Sequence, residues 1–386
     1  MNIGVVLFTK ISAGAGIEQV AVNLARSIES VSGSDSVYIF QTDFIGNLQK
    51  EHSFALKTLV RTEIVSIRSP YNRRIWKFAR KYPHLKFFYT NIIYPILYIV
   101  MNHKTIKFYA KKLDYIIFLW YRDVIPWKLV SSEVFEKSVA SGDCGLVDPK
   151  RNLLSRILGT FVLHCTKKFR YLNPNQIRLH LTSSNQELYL PNGVDTTIFK
   201  ILPDSKRETK NYIFVGRLVK EKGLPELIAA VKSLKYEDWL NISIAGSGEY
   251  EHEISVLSSN QKNVEYLGFL EPEQLSELYG NSDVLILPSY GESFGNVVIE
   301  AVSSGVFCMV SESLRGNFDD LERIGALKYI INTESGIREA ILKTRNIKIP
   351  TETKIIWHKY IQVNYSWTSV AERLLLFLNK SQLKCS

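Results

Sequence analysis

Residues 284–305 read VLILPSYGESFGNVVIEAVSSG. Four apolar residues run from Val284 to Leu287 and stop at Pro288, a short loop carries Glu292, and apolar residues return at helical spacing near Gly295. That order of strand, loop and helix is the repeating unit of an open α/β sheet, with Glu300 about one and a half turns into the helix. In such sheets ligands gather at the carboxyl ends of strands, and a helix N-terminus offers free amides and partial positive charge to a phosphate. Phe294, Gly295, Asn296 and Val297 supply those amides. Glu292 and Glu300 then flank one pocket, far enough apart to hold different parts of one ligand. Taken alone, the same two glutamates also fit a capping carboxylate and a solvated helix residue.

Working outward, NYIFVGRL, LNISIAG, VEYLG and VLILPS are apolar runs, each followed by a stretch with helical periodicity. Strands apolar throughout and alternating with helices predict a parallel sheet covered on both faces. After the first of them comes VGRLVKEKG, which sets Arg217 and Lys222 in the loop at a strand's carboxyl end. A planar fork and a point charge together suit a diphosphate, though surface charge alone gives the same residues. The Gly246-Ser247-Gly248 turn is a weak signal by itself. In the first half, NIGVVLFT followed by KISAGAGIEQ and VAVNLARSI again gives strand, glycine loop and helix, VYIFQT and YIIFLW read as buried strands, and residues 151–169 read as a helix. The Pro-Asn-Gly turn near 191 and the polar ILPDSKRETK mark a boundary.

At 386 residues, 46% apolar and 22% charged, the chain has room for two cores and fits neither disorder nor a polytopic membrane protein. Cys144, Cys165, Cys308 and Cys385 lack C-x-x-C spacing, which argues against a disulfide scaffold or structural zinc and for a reducing, cytoplasmic setting. MNIGVVLFTK lacks the charged opening of a secretory leader and reads as a first buried strand. The net charge of +10 is unevenly placed. From Glu63 to Asp114 no acidic residue intervenes, while Arg68, Arg73, Arg74, Lys77, Arg80, Lys81, Lys86, Lys104, Lys107, Lys111 and Lys112 lie between. Aromatics are interleaved, as on interfacial surfaces. In YNRRIWKFARKY, Arg73, Arg74, Lys77, Arg80 and Lys81 fall opposite an apolar face, so 71–82 reads either as a membrane-facing helix or as a surface helix docked on its own domain. The following IIYPILYIVM is too short to span a bilayer and reads as core or as a shallow insertion. No nucleic-acid-binding signature accompanies the charge.

Together PNGVD (191–195), VGRLVKEKG (215–223), IAGSGE (244–249), VEYLGFL (264–270), residues 282–305 and YSWTSVAERLL (365–375) resemble the C-terminal half of the group 1 glycosyltransferases, the retaining family of GT-B fold that uses nucleotide-sugar donors. The resemblance implies two doubly wound Rossmann-like domains facing across a cleft, an acceptor-side domain at 1–197 and a donor domain at 198–365, with the helix at 366–386 packing back on the first. It implies that Arg217 and Lys222 hold the donor phosphates, Glu300 the ribose hydroxyls and Glu292 the hydroxyls of the transferred sugar. Gly14, Ala15 and Gly16 correspond to the family's glycine loop under the diphosphate. The family's histidine near the reacting sugar has no match, and Asp143, after SVASG, is the nearest counterpart.

Breaking a glycosyl phosphate bond puts negative charge on the leaving diphosphate and positive charge on the ring, so fixed cations and a carboxylate are the groups the chemistry needs. No D-x-D pair is present, and no metal requirement is expected. The expected function is metal-independent, retaining hexosyl transfer from a nucleotide sugar to a lipid-linked oligosaccharide or glycolipid at the cytoplasmic membrane face. The alternatives are a soluble enzyme with a small anionic acceptor and an inactive GT-B binding subunit.

Overall fold

The computed structural model describes residues 1–7, 16–33, 36–42, 59–70, 78, 81–82, 84–85, 89–120, 123–142, 161, 164–174, 186–203, 209–234 and 239–380. They divide into two compact units, Met1–Gly193 with Val370–Ser386, and Val194–Ser369.

The first unit is built on seven parallel strands: β1 (Asn2–Val6), β2 (Ser36–Thr42), β3 (Glu63–Ile67), β4 (Tyr115–Phe118), β5 (Ser138–Ser141), β6 (Lys168–Tyr171) and β7 (Gln186–Tyr189). Their order is β3-β2-β1-β4-β5-β6-β7, so the chain winds outward from β1 and then reverses at β4. β1, β2 and β4 are nearly all apolar because both faces are covered. On one face Phe40, Tyr98, Phe118 and Trp127 form a buried cluster, with Trp127 edge-on to Phe40 at 5.1 Å between ring centroids.

The stretch 151–169, expected as one helix, ends differently: its last residues open β6. The charges that hid this strand are internal. Lys168 sits over the Tyr115 ring at 5.1 Å and donates to the Glu136 carbonyl. Arg170 is fully buried and donates to the carbonyls of Leu190 and Pro191, to the Asn192 side chain and to the Ser141 hydroxyl. A buried guanidinium persists only with such partners.

The second unit carries six parallel strands: β8 (Lys210–Val215), β9 (Leu240–Ala245), β10 (Val264–Gly268), β11 (Val284–Leu287), β12 (Phe307–Ser311) and β13 (Leu327–Ile330). The order β10-β9-β8-β11-β12-β13 puts the reversal between β8 and β11. All four residues of β11 are buried, as the apolar run demands. Helices Leu224–Leu234, Glu251–Asn260, Pro272–Gly280, Asn296–Ser303 and Glu334–Thr344 follow five of the strands. Val194 is tied down within this unit: its amide donates to the Tyr365 carbonyl at 2.8 Å, and it bridges Ser366.

Candidate active site

At the carboxyl ends of β8, β9 and β11 the connecting loops press on one another. A Cβ on Gly246 would lie 1.8 Å from the Gly216 carbonyl oxygen, and one on Gly223 would lie 2.1 Å from the Pro288 carbonyl oxygen. Both glycines have positive φ, 138° and 71°, so a side chain is refused by backbone conformation as well as by space. Hydrogen bonds complete the seam. The Leu218 amide donates to the Ser247 carbonyl at 2.8 Å, and the Tyr290 amide to the Glu221 carbonyl at 3.0 Å. The GSG turn that meant little in sequence is thus the place where the β9 loop lies against the β8 loop.

This packing sets charged groups across the switch point. Lys222, at the end of a 3-10 turn after β8, forms an ion pair with Oε1 of Glu292 after β11. The same oxygen accepts from the Ser289 hydroxyl at 2.8 Å, and Ser289 is fully buried. Arg217 is exposed, and its guanidinium makes no hydrogen bond or ion pair among the described residues. Helix Asn296–Ser303 begins directly after this loop, with Gly295 in a left-handed conformation as its N-cap. In its first turn the Val298 amide donates back to the Gly295 carbonyl at 3.0 Å. Phe294 turns inward against Phe318 and Tyr365, which fixes where the helix starts.

Glu300 sits deeper. Its Oε2 accepts from the Tyr279 hydroxyl at 3.2 Å. Burial pushes the Glu300 carboxyl up to about 7, and the Tyr279 hydrogen bond opposes that shift. Tyr279 is itself fully buried, stacked edgewise on Phe199, and its phenol is held well above the ordinary range by burial and by the Glu300 charge. Once ionised, this carboxyl is an acceptor only and is suited to take hydrogen bonds from a ligand's hydroxyls.

Of the residues expected at the site, Lys222, Glu292, Glu300, Phe294, Gly295, Asn296, Val297 and Arg217 occupy the β8 and β11 loops and the helix that follows β11. In the first unit Gly16 is the exposed first residue of helix Gly16–Ser32. Gly14, Ala15 and Asp143 lie outside the described residues, as do Arg73, Arg74, Lys77 and Arg80, while Lys81 is exposed. Sequence reading missed Ser289 and Tyr279. Ser289 stands three positions before Glu292, a spacing at which a loop hydroxyl reaches a carboxylate. Nothing local to Tyr279 points to a carboxyl 21 residues away.

A parallel sheet with a cation and a carboxylate paired across its switch point, beside a helix N-terminus, is the arrangement expected from sequence of a nucleotide-sugar-binding α/β domain. Residues 197–340 match the family described as group 1 glycosyl transferases. The sulfoquinovosyl transferase of Arabidopsis thaliana is 27% identical over 206 residues, 52% of this chain and 39% of that one. The gpi3 subunit of the phosphatidylinositol N-acetylglucosaminyltransferase of Schizosaccharomyces pombe is 25% identical over 195 residues, 48% and 41% of the two chains. A D-inositol 3-phosphate glycosyltransferase of Corynebacterium diphtheriae is 32% identical over 149 residues, 34% of each. In all three the match spans less than half of the relative's length.

Among solved structures, sucrose-phosphate synthase from Thermosynechococcus elongatus has a TM-score of 0.73 at 16% identity, covering 100% of both chains. An Anabaena protein in complex with UDP-glucose has a TM-score of 0.68 at 13% identity, covering 98% of this chain and 100% of that one. The fold is α/β of GT-B type.

Proposed function

We propose that the chain is a retaining glycosyltransferase that moves a hexosyl group from a nucleotide-diphosphate donor to an acceptor at a membrane surface, such as a lipid-linked oligosaccharide or a glycolipid. The Lys222–Glu292 pair, set across the switch point of the second sheet, carries the reading. When a donor binds, its diphosphate takes over Lys222 and gains Arg217 and the amides at the start of helix Asn296–Ser303. Glu292, released from the lysine but still held by Ser289, faces the hydroxyls of the sugar. Glu300 receives the ribose hydroxyls. As the bond from the anomeric carbon to the diphosphate oxygen lengthens, the cations and amides stabilise the leaving group and the carboxylate stabilises the ring. With the phosphates neutralised by protein cations, the proposed reaction runs without a metal.

The membrane-surface acceptor is supported by the acid-free basic stretch of the first domain and by a matched relative named as a subunit of a phosphatidylinositol N-acetylglucosaminyltransferase. No helix among the described residues is long and apolar enough to cross a membrane, which fits attachment at the surface. The inositol phosphate relative favours a second reading, a small anionic acceptor. Thermal-shift profiling against a set of nucleotide sugars, followed by transfer assays on vesicle-borne polyprenyl glycans and on sugar phosphates, separates them. A bound donor raises stability by mass action. Transfer only to soluble phosphates overturns the membrane acceptor, and no stabilisation by any nucleotide sugar overturns the donor site.

A further inference from the structure

Helix Tyr94–Lys112 in the first unit has two faces of opposite character. Inward, Tyr94, Tyr98, Asn102, Ile106 and Ala110 are buried at every fourth position. Tyr98 accepts from the Trp127 indole, and the Asn102 side chain clamps the backbone of Arg68 through two 2.9 Å hydrogen bonds. This face is locked to the domain.

The outward face is apolar where a soluble domain would be polar. Ile96 is 56% exposed, Val100 71%, and Leu97 and Met101 about as open at 40% and 42%. Ile92 and Ile93, in the π-helical turn just before, are exposed as well. At 100° per residue Ile96, Leu97, Val100 and Met101 fall within a sector of about 140°, and Lys104, Lys107 and Lys111 fall in the same sector one to three turns further on. All three lysines are exposed. The face therefore changes along the helix axis from wholly apolar to mainly basic, with the exposed Phe108 standing among the lysines. Contiguous exposed apolar surface of this kind marks an interaction site.

We propose that this face is a lipid-inserting element: the Ile92–Met101 end enters one leaflet of an anionic membrane while Lys104, Lys107 and Lys111 bind the phosphates of the headgroups. The inference rests on the membrane-surface reading given above and adds the element that does the docking. Charge selects lipid over a second copy of the chain, since the same face of a copy offers the lysines no carboxylate. It also selects an anionic surface, because no acidic residue lies between Glu63 and Asp114.

The test is flotation of the full chain with phosphatidylglycerol/phosphatidylcholine vesicles at low and high salt, comparing wild type with Ile96→Ser/Val100→Ser and with Lys104→Gln/Lys107→Gln/Lys111→Gln. Both apolar sites are exposed, so the first variant keeps the fold, checked by an unchanged melting temperature and nucleotide binding. Wild type should float. The serine variant should lose at least tenfold in vesicle-bound fraction at either salt, and the glutamine variant should lose binding chiefly at low salt. A serine variant that floats like wild type overturns the inference and leaves the membrane acceptor standing. Wild type that does not float overturns both. Release of a dimer by the serine substitutions, seen by light scattering without any change in flotation, assigns the face to self-association and overturns the lipid proposal.

Discussion

The Tyr279 hydroxyl donates to Oε2 of Glu300 at 3.2 Å from a fully buried position, so the deepest carboxylate of the candidate site is held by a residue from a different helix, Pro272–Gly280. That bond favours the ionised form of Glu300 against the burial that raises it to about 7. In the proposed donor complex the ribose hydroxyls also need the carboxylate, so nucleoside diphosphate affinity should rise with pH through about 7. Tyr279→Phe removes a donor and should move the midpoint of that rise upward. Calorimetry from pH 5.5 to 8.5 checks it. A Tyr279→Phe profile that overlays wild type would mean that the tyrosine only packs.

Glu300 also carries a stability cost with a definite sign. Its folded-state value near 7 exceeds the ordinary 4.5, so the folded chain holds a proton that the unfolded chain releases between those two values. Stability from this group is complete below about pH 4.5 and falls as pH rises to about 7, by at most about 3 kcal/mol. Glu300→Gln should melt higher than wild type at pH 8 and match it near pH 4.5, while binding nucleotide more weakly. Denaturant titrations at the two pH values measure this, and equal wild-type and variant stability at pH 8 would contradict it.

Lys222 and Glu292 should behave as a coupled pair. Lys222→Ala removes a charge that faces the leaving diphosphate, for which a loss of about a hundredfold in turnover is expected. Ser289→Ala leaves Glu292 with one fewer donor at 2.8 Å, and turnover should fall about tenfold or more with nucleotide affinity unchanged. A double-mutant cycle of Lys222→Ala with Glu292→Ala should be clearly non-additive. Additive losses would place the two in separate roles.

The loop seam is the most brittle part of the second domain. Gly223→Ala drives a methyl group into the Pro288 carbonyl and strains a backbone at φ 71°. A loss of about 2 kcal/mol or more is expected, together with weakened nucleotide binding, because the Lys222 loop and the Glu292 loop are spaced by that contact. Gly325→Ala, whose Cβ meets nothing within 4 Å, is the control for the conformational part. If Gly223→Ala costs no more than the control, the close approach has no energetic weight.

The strands that frame the second switch point were legible because they are buried on both faces: VLIL in β11 and NYIFV in β8 announce themselves as apolar runs. β6 and β7 were not, since KFRY places Lys168 and Arg170 at buried positions satisfied only by tertiary partners, such as Arg170 on the Leu190 and Pro191 carbonyls, and QELY is only partly buried, with Glu187 exposed. Glu292, Glu300 and Lys222 could be named from motif and spacing. Their partners Tyr279 and Ser289 belong to the folded arrangement, where contacts skip across sequence. The basic stretch was legible as charge, but which residues lie outward on Tyr94–Lys112 depends on how Asn102 and Tyr98 anchor the opposite face.

The central claim, that the β8/β11 switch point binds a nucleotide sugar and supports transfer of its sugar without a metal, is tested most directly by following release of nucleoside diphosphate from a panel of nucleotide sugars by phosphorus NMR, with vesicle-borne polyprenyl glycans and sugar phosphates supplied as acceptors and EDTA present, for wild type and Lys222→Ala. The account predicts release by wild type with at least one donor, undiminished by EDTA, and release slowed about a hundredfold in Lys222→Ala. Equal release by the two proteins, or release by wild type only after a divalent metal is restored, would contradict it.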